Sequence, residues 1–296
     1  MQLLEEFQGV SADVKAKLDS NYIYLDLEVD STENIYRLGL DSSILKEDFE
    51  RETLAPAYQQ LIQFKQSGLS ICGHNFRRFD YPYLVKQKPG LQSWSIIDTL
   101  ELSVLAFPLQ SSHKLNKEYK PSHYSLNNPL EDARATRLLL EQILTELLNK
   151  PSSLGRAYSW LLTCGTQEAD SAYKQLFTLI GLETVESPIL DELPKGAIAG
   201  FDGDYLERFF GNAAIHDFDT RLSLAALIAW NYECNVTQSN AVFSGWLRHL
   251  PGFEKLLAQV RPLLPDGFTY HPYLEQFNIP AFRSIQEEAV QSILKG

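Results

Sequence analysis

Three cysteines in 296 residues, Cys72, Cys164 and Cys234, are too few and too widely spaced for a disulfide framework or a paired zinc site. They read as reduced thiols in packed surroundings. No apolar run approaches the ~20 residues that span a bilayer, and the opening Met-Gln-Leu-Leu-Glu-Glu lacks the basic segment that begins a secretory leader. A cytoplasmic protein with no membrane partner is therefore expected. Basic charge is short as well: 26 Lys and Arg stand against 38 Asp and Glu, a formal net charge of −12. Such a chain does not coat nucleic acid by bulk attraction, because that binding rests on neutralising phosphates with Lys and Arg. It leaves open an enzyme that reaches nucleic acid through metal ions. No Gly-x-x-x-x-Gly-Lys-Ser/Thr phosphate loop occurs either, so this chain holds no complete ATPase site.

What is present is the composition of a globular chain, 44% hydrophobic and 22% charged, long enough for two domains that each bury a core. The first half is organised around Tyr22-Ile-Tyr-Leu-Asp-Leu-Glu-Val29, which predicts a buried strand. Strand alternation sends Asp26 and Glu28 to one face. Two carboxylates side by side among aromatic and β-branched residues repel each other and find little water, so a cation is expected between them. Hard oxygen donors at that spacing suit Mg²⁺ or Mn²⁺. A lone Asp-x-Glu is also the ordinary content of an exposed acidic strand edge.

Further strands are expected near 35–40, 69–73 and 95–97, and helices over 54–65 and 100–106, the first ended by Gly68. After Gly73-His74-Asn75 the chain turns into a helix carrying Asp80, where polar groups gather at the carboxyl edge of a sheet. Pro129 suits the start of a helix whose apolar face holds Ala133, Thr136, Leu139, Leu140 and Ile143, with Asp132 one turn inside. Asp80 and Asp132, taken singly, could each be a first-turn acid that favours the helix dipole.

Taken together, Asp26-Leu27-Glu28, Asn75-x4-Asp80 and Pro129-Leu-Glu-Asp132-Ala-x-Ala-Thr resemble, in that order, the DEDD superfamily of 3′→5′ exonucleases. The middle motif is most similar to the proofreading domains of family-B DNA polymerases. The resemblance covers roughly the first half of the chain. It implies an α/β, ribonuclease-H-like mixed sheet flanked by helices, and the order βββαβαβα fits it. It also implies two Mg²⁺ or Mn²⁺ ions about 4 Å apart, one activating water and one steadying the leaving 3′ oxygen. Asp26 would bridge both ions, Glu28 and Asp132 would complete direct ligation, and Asp80 would act through a water. Asn75 would orient the terminal nucleotide, while Phe79 and Tyr83 are expected to pack. Members of this family place a His five residues, or a Tyr four residues, before the last acid as general base. Here those positions are Asn127 and Asn128, and neither amide takes a proton from water. The remaining candidates are His123 or Tyr124, then His113, or metal-bound water alone.

The second half reads as mainly α-helical after a linker near 149–154, with helices over 154–162, 169–180, 205–210, 222–232, 242–250 and 253–263. Trp160, Trp230 and Trp246 fall on apolar faces and are expected in the core, and the Asp202/Asp204 and Asp217/Asp219 pairs are expected to cap helices. Tyr273 to Val290 resembles the element that opens the motor of RecQ-family helicases, in which Phe282, Arg283 and Gln286 would read the adenine of ATP. The resulting expectation is an exonuclease domain over 1–150, a helical domain over 151–270, and the first part of a helicase motor over 271–296. ATP would be a cofactor only of the full-length helicase. The expected partner is DNA, as a single strand or a 3′ end, in a DNA-repair role. The competing expectations are a catalytically lapsed domain that binds a strand end or a partner protein, and an acidic module that imitates nucleic acid.

Overall fold

The computed structural model describes residues 10–115, 128–183, 186–239 and 243–260. Ser11 accepts from the Val14 N–H and opens α1, Ala12–Asn21. Strand β1, Tyr22–Val29, follows without a break and pairs antiparallel with β2, Ile35–Asp41. Asp30 shapes the turn between them, its carboxylate accepting from the N–H groups of Thr32 and Asn34. β2 then pairs antiparallel with β3, Lys46–Glu50. That strand buries only Phe49 and is otherwise charged, which hides it from a search for apolar alternation and suits an exposed sheet edge.

Helix α2, Leu54–Gln66, buries Leu54, Ala57, Tyr58, Leu61 and Phe64, and its exit is Gly68 at φ 80°, a conformation that suits glycine. β4, Ser70–Gly73, lies parallel to β1 on the side away from β2. A π-helical turn, Phe76–Asp80, leads to α3, Tyr81–Gln87, after which β5, Ile96–Asp98, adds parallel to β4. The result is a mixed five-stranded sheet in the order β3-β2-β1-β4-β5 within an α/β molecule.

Helix α4, Thr99–Ala106, starts directly from β5 and is buried along its whole length. Then come α5, Pro129–Asn149; α6, Ser152–Thr163; α7, Glu168–Leu179; α8, Lys195–Ile198; α9, Gly203–Gly211; α10, Phe218–Thr237; α11, Gly245–Arg248; and α12, Phe253–Val260. The helix expected over 242–250 is thus a single turn, begun by the Ser244 cap.

The two faces of β1 enter different cores. Ile23, Leu25 and Leu27 pack with Leu61 and Phe64 of α2, whereas Tyr22 and Tyr24 join Cys72, Ile97, α4, α5 and the later helices in one cluster. The break expected near 149–154 falls at Lys150-Pro151, between α5 and α6, but this second cluster runs across it. Among the described residues no helix is long and apolar enough to cross a membrane.

Candidate metal centre

Asp26 and Glu28 have the same parity as Tyr22 and Tyr24 and so face α5. Gly39 sets how close that helix comes. It pairs with Asp26 across β1 and β2, and a Cβ built on it would lie 2.0 Å from the Pro129 carbonyl carbon. The first turn of α5 therefore rests on bare backbone, the close approach that a glycine inside a strand permits. Asn128 caps the helix, its side-chain oxygen accepting from the Leu130 and Glu131 N–H groups at 3.1 and 3.3 Å. Small buried Ala133 and Thr136 keep the contact tight. Asp132 is carried in beside the strand acids as a result. Ligand oxygens of Asp26, Glu28 and Asp132 all lie within 4.8 Å of one another.

These acids are not sealed from water, as their strand suggested. Each is partly exposed and lines a cavity of about 610 Å³ at the carboxyl ends of β1, β4 and β5. Asp80 lines the same cavity but is only 4% exposed and stands outside the 4.8 Å group. Burial pushes its carboxyl up to about 8, and the charges of Asp98 and Glu28 push the same way.

The turn that carries Asp80 is held by Asp98, the last residue of β5. Its carboxylate accepts from the N–H groups of Asn75 at 2.8 Å, Arg77 at 3.0 Å and Leu100 at 3.0 Å, joining the π-helical turn to the start of α4. Burial raises the Asp98 carboxyl, and these donors oppose the shift. Asn75 adopts the left-handed conformation at φ 57°, tolerable for asparagine, and lines the cavity.

Two histidines complete the polar lining. His74 meets the Thr99 hydroxyl at 3.0 Å through Nδ1. His113 is buried, and among the described residues neither of its ring nitrogens has a hydrogen-bond partner. Burial lowers both imidazoles to about 4; His74 lowers His113 further, while the His113 carbonyl opposes the shift at His74. His123, Tyr124 and Asn127 lie outside the described residues, as do Phe282, Arg283 and Gln286.

One aromatic assignment needs correction. Phe79 is 52% exposed at the cavity, touching Tyr83 edge-on with ring centroids 5.7 Å apart, so it is not a core group. Trp246 packs against the helical core, as its apolar face led one to expect, and also lines the cavity. Apolar periodicity places a residue on a face but not what that face meets.

Helical and sheet segments are joined beside the site. Arg77 pairs with buried Glu101 of α4 and, at 3.3 Å, with Asp219 of α10, and Arg78 also pairs with Asp219. Tyr173 of α7 donates to Glu101 at 2.7 Å. Burial raises the Glu101 carboxyl to about 7, against the pull of Arg77. Asp202 and Asp217 do cap α9 and α10, whereas Asp219 serves the arginines. No family model, curated protein or solved structure matches the chain.

Proposed function

We propose that the chain is a metal-dependent 3′→5′ exonuclease of the DEDD kind, built on a ribonuclease-H-like sheet and acting on DNA ends. The observation that carries this reading is the convergence of Asp26 and Glu28 from β1 with Asp132 from α5, within 4.8 Å, next to buried Asp80. The sheet order, with β1 between an antiparallel and a parallel neighbour, supports it, as does a cavity at the carboxyl ends of parallel strands.

A set of carboxylate oxygens fits Mg²⁺ or Mn²⁺. Two such ions, when bound, supply an activated water and stabilise the departing 3′ oxygen. Asp26, Glu28 and Asp132 would hold them directly, and Asp80, outside the tight group, would act through a water. Asn75 would orient the terminal nucleotide. His113 takes the place left by Asn127 and Asn128. Its ring lines the cavity and, among the described residues, its nitrogens have no hydrogen-bond partner, so a ring nitrogen is available to accept a proton from the attacking water. The resemblance of 273–290 to a RecQ-like motor favours DNA over RNA and makes the chain part of a larger helicase. A second reading, a lapsed domain that holds strand ends without cutting, is favoured by Asn128, whose side chain is engaged in capping α5.

The test is a time course on 3′-labelled and 5′-labelled single strands with Mg²⁺ or Mn²⁺. Stepwise loss from the 3′ end is expected, abolished in Asp26→Ala and slowed about 10²- to 10⁴-fold in His113→Ala. A folded, metal-bound protein that cuts neither substrate would leave the binding role.

A further inference from the structure

Asp80 reaches the cavity on one short π-helical turn, Phe76–Asp80, and single turns of this kind are rare and recur at functional sites. Asp98 holds the backbone of that turn from within the sheet segment. The Arg77 side chain is held by the helices instead. Its guanidinium lies over the Phe218 ring of α10, 4.4 Å from the centroid, and donates to Glu101 at 2.9 Å and to Asp219 at 3.3 Å. Phe218 in turn stacks on Tyr173 of α7, with ring centroids 5.3 Å apart. The Tyr173 hydroxyl donates to Glu101 at 2.7 Å and accepts from the Asp98 N–H at 3.3 Å, so one side chain of α7 touches both anchors of the turn. Glu101 and Tyr173 are wholly buried, and no water replaces a partner that either loses. None of Arg77, Glu101, Tyr173, Phe218 and Asp219 lines the cavity, so their effect on the centre passes through the turn.

We propose that Tyr173 and Asp219 are positioning residues of the metal centre: α7 and α10 hold Arg77, and through it the turn that presents Asp80. The inference rests on the metal-dependent reading of Asp26, Glu28, Asp80 and Asp132, and adds that the centre depends on both halves of the chain. Outer partners that orient a metal's ligands affect affinity and rate without touching the ion. Here those partners come from helices outside the half that supplies the carboxylates.

The test uses the whole chain and reads Mn²⁺ affinity by calorimetry, then kcat and KM on a 3′-labelled single strand at saturating Mn²⁺. Tyr173→Phe and Asp219→Ala should each weaken Mn²⁺ binding about tenfold and lower kcat to a similar degree, with KM changed by less than about twofold. Asp219→Glu keeps a carboxylate for the arginines and should stay near wild type. Asp217→Ala removes only the cap of α10, so it should lower the melting temperature and leave Mn²⁺ affinity and kcat unchanged. A Mn²⁺ affinity within about twofold of wild type in Tyr173→Phe or Asp219→Ala overturns the role of that residue. Equal losses in Asp217→Ala overturn both roles, because that pattern is general destabilisation. A wild type that binds Mn²⁺ but cuts no strand defeats the nuclease reading alone, and the calorimetric comparison still decides the positioning. Absence of Mn²⁺ binding in wild type overturns both.

Discussion

At the scale of the residue, what separates the four acids is access to water. Asp26, Glu28 and Asp132 open to the cavity, whereas Asp80 is buried and its carboxyl is pushed up to about 8. An unfolded aspartate titrates near ~3.9, so between about pH 4 and 8 the folded chain binds a proton that the unfolded chain has released. Stability of the metal-free protein should therefore fall as pH rises through that window. Thermal denaturation in chelator is expected to show this decline in wild type and a flatter profile with a higher midpoint at pH 8 in Asp80→Asn. A wild-type midpoint that holds steady from pH 5 to 8 would mean that Asp80 ionises normally. His113 is the residue-scale surprise: the sequence marked it as a minor candidate, and its significance lies in two buried ring nitrogens that only the fold reveals.

At the scale of the element, the decisive contact is helix on strand. Gly39 allows the backbone of Pro129 to touch β2, and that contact sets the height of Asp132 above Asp26. Gly39→Ala should cost about 1–3 kcal/mol by overpacking and should also weaken Mn²⁺ binding, because the start of α5 must lift. Gly68→Ala is the control. Its φ of 80° makes it strained as well, but it has no neighbour within 4 Å and lies at the exit of α2. Denaturant unfolding should register both changes, and a calorimetric Mn²⁺ titration only the first. A glycine within a strand pattern signals close approach at the sequence level. What approaches is a long-range fact.

At the scale of the whole molecule, one face of the sheet shares its core with the later helices. Tyr22 and Tyr24 of β1, Leu140 and Leu144 of α5, and Leu224 and Ile228 of α10 belong to the same cluster. Arg77, Glu101, Tyr173 and Asp219 bind the same layers by hydrogen bonds and ion pairs at the edge of the site. A chain cut after Asn149 is expected to expose this apolar face, bind a hydrophobic dye and lose its cooperative melt. The chain including α6–α12 is expected to unfold with matching midpoints for sheet and helix signals. Two separated transitions would show that the layers fold independently.

The sequence by itself determined the local elements and the chemistry on offer. Strand β1 spans the expected residues, Gly68 ends α2 and Pro129 opens α5, because alternation, breakers and caps act over a few residues. The order of the acids Asp26, Glu28, Asp80 and Asp132 was legible for the same reason. Only the tertiary structure decided that three of these acids meet within 4.8 Å while Asp80 is buried beside them. It also decided that Trp246 faces the cavity, that Asp219 answers two arginines from the sheet segment, and that charged β3 completes the sheet. Each of these depends on pairings between residues far apart in the chain, and no local pattern records which distant surface a side chain will meet.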